Sequence, residues 1–330
     1  MIAQSIHELW PDAEIRFMVS VEASYARSVP FETRVLRRSP TLEPEEVAQY
    51  IARTRPTLVV LDNAGRTSIL KAAHAVGARV VFISSRSRQR GKAFRLGWMR
   101  LIDEHWIAYP ASIAGALTWL ERLKLAALRR PTVRFLDTFL PRAADPTAVV
   151  ARLGLVPNDY VLFAPGGGSS HRSMPQAPDE IARGALGVAR RSHRTLLLAI
   201  VPRNAGEMPS NLVLERTVPM PELVALIEHA KLVVCNGADT LLQVIALRRP
   251  CIAIPMSPDQ EHRLAQLAGA GLAVSTRPVE AEIVTECERL LGDPAALSER
   301  EAAVKRVALR DGLPIALDAI RGLTGEAPQP

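Results

Sequence analysis

Cysteine is scarce in this chain: Cys235, Cys251 and Cys287 are the only three, and no two are spaced as a CxxC pair. That pattern argues against a zinc site and against a disulfide framework. Aromatic residues make up only 5%, too few for the stacking platforms that single-stranded nucleic acid needs. Apolar runs are short as well. Residues 57–61 have strand length, far below the roughly 18 residues of a membrane-crossing helix. The opening residues 1–8 carry neither the basic start nor the apolar core of a signal peptide, and a cytoplasmic address is expected.

What is present fits a soluble α/β protein. The chain has 330 residues, 48% hydrophobic and 23% charged, enough for two domains of about 150 residues, each with its own core. Lys and Arg number 41 against 34 Asp and Glu, a net +7. This favours nucleotides, phospholipid surfaces or nucleic acid as partners without choosing among them.

Short β-branched runs alternate with amphipathic stretches, the pattern of α/β units on parallel sheets. In the first half strands are expected at 14–19, 57–62, 79–84, 104–109 and 133–136, with helices at 2–10, 45–51, 67–76 and 111–128. Proline and small residues over 141–147 mark a linker, followed by a short helix at 148–153. The second half repeats the rhythm. Strands are expected at 160–164, 195–201, 212–215, 232–235, 251–255 and 272–275. Helices are expected at 179–191, 220–230, 240–247, 261–268, 279–291 and 297–310. A doubly wound domain ordinarily opens with a strand and a tight loop, whereas this chain opens in a helical segment; either the leading strand and first loop are missing or the domain naturally begins with a helix.

Three strand-end loops carry chemistry. The strand at 160–164 feeds Pro165-Gly166-Gly167-Gly168-Ser169-Ser170, where glycine lets backbone N–H groups approach a phosphate closely. The stretch matches neither GxGxxG nor a Walker loop, and a plain βα turn has the same composition. His171 and Arg172 just beyond it are suited to a diphosphate or to an exposed loop. After the strand at 232–235 comes Asn236-Gly237-Ala238-Asp239-Thr240, leading into a helix with Gln243; Asn236 or Asp239 is a candidate helix cap. After the strand at 251–255 come Asp259 and Gln260, a carboxylate and an amide suited to vicinal sugar hydroxyls.

The order and content of these loops resemble the C-terminal domain of glycosyltransferase family 28, which includes the enzyme that adds N-acetylglucosamine to the undecaprenyl-linked muropeptide. Asn236 to Gln243, followed by Arg249-Pro250 and Pro255, resembles the family's Ser-Gly-Ala…Thr…Glu…Pro…Pro signature. Gly166 to Ser170 resemble its Gly-Gly-Ser loop, and Gln260 a glutamine near the donor sugar. The likeness implies a GT-B fold: two Rossmann-like domains with parallel sheets facing a central cleft, a UDP-sugar held by the C-terminal one, and metal-independent inverting transfer without a further cofactor. It implies an acceptor-side domain over 1–142, a UDP-sugar domain over 143–312, and a helix over 313–330 returning towards the first domain. In the first half the likeness is looser, carried by Ala3 to Ile6, by 84–98 and by Phe139 to Arg142.

Two departures stand out. Gln243 replaces a glutamate that grips both ribose hydroxyls, which removes the charge-assisted part of that bond. The glycine loop and histidine of the family's acceptor site have no counterpart ahead of the first helix, which points to a truncated start. Among the residues present, Asp62, ending the strand at 57–62 before Asn63-Ala64-Gly65, is the candidate general base for the acceptor hydroxyl; an ordinary turn aspartate looks the same in sequence.

Residues 86–100 carry Arg86, Arg88, Arg90, Lys92, Arg95 and Arg100, with Phe94, Trp98 and Leu101 on one helical face. Such a segment suits an anionic membrane surface near a lipid-linked acceptor, and equally a core-facing stripe with a solvated basic face. The leading expectation is a UDP-sugar-dependent glycosyltransferase acting on a lipid-linked or cell-envelope acceptor, at the inner face of the cytoplasmic membrane and without nucleic acid. A nucleotide-sugar hydrolase on the same fold, or a non-catalytic nucleotide-sugar or nucleic-acid binding protein, stands as the alternative.

Overall fold

The computed structural model describes residues 1–23, 26, 29–166, 174–191, 193–199, 206–216 and 218–325, apart from the side chains of Asp259 and His262. The chain divides into two compact units, Met1–Asp137 with Asp311–Pro330, and Thr138–Arg310. Against the expected boundaries at 142/143 and 312/313, the 138–142 stretch and Asp311–Gly312 change sides.

The first unit opens with α1 (Ile2–Leu9), β1 (Arg16–Ser20), β2 (Glu32–Leu36), α2 (Pro44–Thr54), β3 (Leu58–Asp62), α3 (Thr67–Ala75) and β4 (Arg79–Ser84). It continues through α4 (Ser87–Ala93), α5 (Leu96–Met99), β5 (Glu104–Ala108), α6 (Ala111–Ala114), α7 (Trp119–Leu128) and β6 (Thr132–Leu136). Strands β3, β4, β5 and β6 form a parallel sheet in that order, while β1 and β2 pair in parallel as a separate ribbon. One strand lies outside those expected and one expected helix is corrected. Strand β2 was not foreseen, because Glu32-Thr33-Arg34-Val35-Leu36 buries only Leu36 and so lacks a core strand's apolar run. The single helix expected over 111–128 is two, broken at Gly115, whose φ of +80° is left-handed. The chain restarts at Thr118, whose hydroxyl accepts from the Glu121 amide while the Glu121 carboxylate accepts from the Thr118 amide, a reciprocal cap.

The second unit runs α8 (Pro146–Arg152), β7 (Val161–Ala164), α9 (Ala177–Arg190), β8 (Thr195–Leu198), β9 (Leu212–Glu215), α10 (Met220–His229), β10 (Leu232–Asn236), α11 (Asp239–Ala246), β11 (Cys251–Ile254), α12 (Pro258–Gly269), β12 (Val274–Ser275), α13 (Glu280–Gly292) and α14 (Pro294–Lys305). The last helix, α15 (Gly312–Thr324), packs in the first unit against α1 and β6.

Six parallel strands form the second sheet in the order β12-β11-β10-β7-β8-β9. Its central strands are apolar throughout because both faces are covered. Leu162, Ala164, Val233, Cys235, Cys251 and Ala253 point into one core with Leu226, Leu241 and Val244 of α10 and α11. The alternate residues Val161, Phe163, Leu232, Val234, Ile252 and Ile254 point into the other, with Ile181 of α9 and Ile283 of α13. This period-two division leaves no polar side chain of these strands below the carboxyl edge, so chemistry is confined to the strand-end loops.

Candidate functional site

The loops singled out in the sequence follow β7, β10 and β11, which are neighbours in the sheet and run parallel. Their carboxyl ends therefore share one edge. The chain lays β7, β8 and β9 to one side, then crosses to place β10, β11 and β12 on the other, so the order reverses between β7 and β10. At such a reversal the adjoining loops diverge and leave a crevice that ligands occupy in open α/β sheets.

Two glycines permit close backbone approach there. Gly166 has φ +96°, where a side chain is strained, and a Cβ would lie 2.2 Å from Asn236 Nδ2. At Gly237 a Cβ would lie 3.0 Å from the Leu264 side chain of α12.

Hydrogen bonds knit the three loops together. Asn236 Nδ2 donates to the Pro165 carbonyl at 2.8 Å, and its Oδ1 accepts from the Ala238 amide at 3.0 Å. The Gly237 amide donates to the Ile254 carbonyl at 3.1 Å. Gln260 Oε1 accepts from the Met256 amide at 2.9 Å, fixing the third loop. Among the described residues no side chain caps α11, which starts from Ala238. An uncapped first turn presents backbone N–H groups and the positive end of the helix dipole, an arrangement that favours anions.

The structure thus brings Gly166, Asn236, Gly237, Ala238, Asp239, Thr240 and Gln260 to one edge. Gly167, Gly168, Ser169 and Ser170, with His171 and Arg172, lie outside the described residues, as does the Asp259 side chain. Two readings are corrected. Neither Asn236 nor Asp239 is the N-cap of α11; Ala238 holds that position and Asn236 bonds its amide instead. Gln243 is 3% exposed, and its amide nitrogen donates to the Phe139 carbonyl at 2.9 Å and meets Met220 Sδ at 3.4 Å. It fastens the 138–142 stretch to α10 and α11, so that nitrogen is spent inside the unit rather than on a ribose. Burial pushes the Cys235 thiol up and the Cys251 thiol to about 12, which leaves neither as a nucleophile.

In the first unit Asp62 is exposed at the carboxyl end of β3. Its Oδ1 accepts from Asn63 Nδ2 at 2.8 Å. Asn63, at φ +55°, also accepts through Oδ1 from the Ser85 amide at 2.9 Å and hydroxyl at 3.0 Å, so it joins the ends of β3 and β4. Sequence reading passed over Asn63 as part of a turn; its signal is an asparagine at the strand end, where αL geometry is tolerated.

The basic segment is rearranged by burial. Phe94 and Trp98 are 3% and 6% exposed and pack on Phe82 and His105 rather than facing a membrane. Arg90, 8% exposed, pairs with the Glu121 carboxylate through Nε and Nη2 at 3.0 and 2.7 Å, and donates to the carbonyls of Ala114, Gly115 and Ala116. It is a clamp on the loop between α6 and α7, not an acceptor contact. Arg86 and Arg88 are exposed, and Lys92 is half-buried. Beside the clamp His105 is buried. Its Nε2 lies 2.8 Å from Ser84 Oγ while Nδ1 has no hydrogen-bond partner among the described residues. Burial, then the charge of Arg90, holds it down at about 4, with Glu121 opposing.

No group of three or more His, Cys, Asp or Glu side chains among the described residues is placed to hold a metal ion. No helix among them is long and apolar enough to cross a membrane.

No protein-family model matches the sequence, and no curated protein is significantly similar to it. Solved structures do match. The spinosyn forosaminyltransferase SpnP has a TM-score of 0.62 at 16% identity, over 98% of this chain and 94% of that one. UGT2 of Phytolacca americana, complexed with UDP-2-fluoroglucose and pterostilbene, has 0.63 at 9%, over 95% and 93%. The calicheamicin glycosyltransferase CalG4 has 0.58 at 16%, over 99% and 94%. Likeness at these identities establishes architecture, and it extends over nearly the whole length of each chain: this protein has the GT-B fold.

Proposed function

We propose that this chain is a glycosyltransferase that moves a sugar from a UDP-sugar to a lipid-linked or cell-envelope acceptor, with inversion and without a metal. The observation that carries the reading is the chain reversal between β7 and β10, lined by Gly166 and Gly237 and flanked by the uncapped start of α11. Backbone N–H groups there are suited to the diphosphate, and they stabilise the charge that develops on it as the sugar–phosphate bond breaks. The solved structures with the same fold include one that holds a UDP-sugar analogue, which supports the same donor class here. The family 28 assignment rests on the likeness of the loop sequences alone.

In this scheme Asp62 takes the proton of the acceptor hydroxyl as that oxygen attacks the anomeric carbon. Asn63 orients its carboxylate. The hexose or N-acetylhexosamine is recognised at the third loop by Gln260, with Asp259 beside it in sequence.

The surface suited to an anionic membrane is α7 in place of Phe94 and Trp98. Trp119 is 72% exposed, and Leu120 and Leu123 are also open; no residue of α7 is buried. The Arg90–Glu121 pair and the bond from Lys124 Nζ to the Phe94 carbonyl at 3.1 Å tie α7 to the segment that also carries the exposed Arg86 and Arg88. An apolar face with a basic border is the composition of an interfacial helix.

The test is UDP release from UDP-glucose and UDP-N-acetylglucosamine, with and without a lipid-linked acceptor fraction. Release that depends on the acceptor and disappears in Asp62→Asn supports transfer. Equal release without acceptor replaces it with hydrolysis. For the membrane face, Leu123→Glu should abolish sedimentation with phosphatidylglycerol vesicles; unchanged sedimentation refutes that assignment.

A further inference from the structure

We infer that Asn236 is a positioning residue that couples the chain leaving β7, at Pro165 and Gly166, to the start of α11 across the chain reversal, rather than a group that binds donor directly. The inference rests on the nucleotide-sugar reading of this edge. Asn236 is the last residue of β10, and β7 is its neighbour on the side where the strand order reverses. Both ends of its amide are occupied within the protein. Nδ2 donates to the carbonyl of Pro165, immediately before Gly166, and Oδ1 accepts from the amide of Ala238, immediately before α11. A single planar group therefore spans the two loops that would hold the diphosphate.

The fit also constrains what stands opposite. A Cβ at Gly166 would lie 2.2 Å from Nδ2, inside any van der Waals contact, so Gly166 and Asn236 are matched. Where two loops must diverge to admit a ligand and still aim their N–H groups at one anion, a rigid cross-link fixes their separation before binding. Affinity then follows from preorganisation, since less ordering entropy is lost on association.

The amide is distinguishable from its acid isostere. In Asn236→Asp the oxygen facing the Pro165 carbonyl at neutral pH is an ionised acceptor meeting an acceptor, and the link becomes repulsive. Protonation restores a donor at that position. Calorimetric titration with UDP should show Asn236→Asp binding about tenfold or more weakly than wild type at pH 7.5. The gap to wild type, measured at the same pH, should narrow severalfold at pH 5. A gap that is absent at pH 7.5, or independent of pH, overturns the inference.

A second arm needs no nucleotide. By hydrogen exchange, Asn236→Ala should speed exchange at Gly166 and at 237–241 together. Gly166→Ala, by displacing Asn236, should speed exchange at 237–241 although that segment is unchanged in sequence. Exchange at 237–241 that ignores Gly166→Ala overturns the coupling, whether or not the wild-type protein binds UDP. Wild-type protein that fails to bind UDP, with the exchange coupling intact, refutes the nucleotide-site reading and leaves the coupling standing.

Discussion

Acidification should destabilise the first unit through His105. Its imidazole is buried between Phe82 and Phe94, beside Arg90, with Nδ1 unpartnered among the described residues, and it is held at about 4 against an ordinary 6.5. Because the folded value lies below the unfolded one, the unfolded chain takes up the proton first as pH falls. Above about pH 6.5 His105 is neutral in both states and costs nothing. Between 6.5 and 4 each pH unit removes up to ~1.4 kcal/mol, for a total of roughly 3 kcal/mol, and below 4 the loss levels off. Against the 5–15 kcal/mol or so that holds an ordinary domain together, that is a large share. All four tryptophans, Trp10, Trp98, Trp106 and Trp119, fall in the first unit, so their fluorescence in urea reports that unit alone. His105→Gln keeps a polar group near Ser84 without the titration. Wild type should lose about 3 kcal/mol more than His105→Gln between pH 7 and pH 4. Parallel pH curves for the two proteins would refute the assignment.

Other perturbations test the packing and the proposed catalytic edge. A Cβ at Gly65 would sit 2.9 Å from ring atoms of both Phe82 and Trp98, so Gly65→Ala should lower first-unit stability by about 1–3 kcal/mol in the same urea assay; a neutral effect would mean the rings yield freely. Asn63→Ala removes the bond that orients Asp62, and kcat for UDP release should fall about tenfold, the worth of one hydrogen bond, with KM for the UDP-sugar unchanged. A change confined to KM would place Asn63 in donor binding instead.

Much of this molecule was readable before coordinates, and the gaps have physical causes. The strands of the second sheet were legible because burial on both faces demands unbroken apolar runs such as Val161–Ala164 and Cys251–Ile254. Strand β2 was not, because a half-exposed ribbon needs only Leu36 to be apolar. The break at Gly115 carried a legible signal, Thr118-Trp119-Leu120-Glu121, a reciprocal helix cap in sequence that the apolar periodicity of 111–128 obscured. Loop positions at the candidate site followed from strand order, since parallel strands place their carboxyl ends together. Side-chain direction did not follow. Periodicity placed Phe94 and Trp98 on one helix face and the family resemblance put Gln243 at a ribose, but only packing shows that all three point inward. Likewise, Asn63 reads as a turn residue and Asn236 as a helix cap until their bonds across neighbouring strands are seen.

The most direct test of the donor site is hydrogen exchange of the wild-type protein with and without saturating UDP, read peptide by peptide. The account predicts protection at 164–166, 236–241 and 255–260 and none at the opposite edge of the same sheet, 154–160 and 229–231. Protection at that opposite edge, or no protection at all, would contradict it.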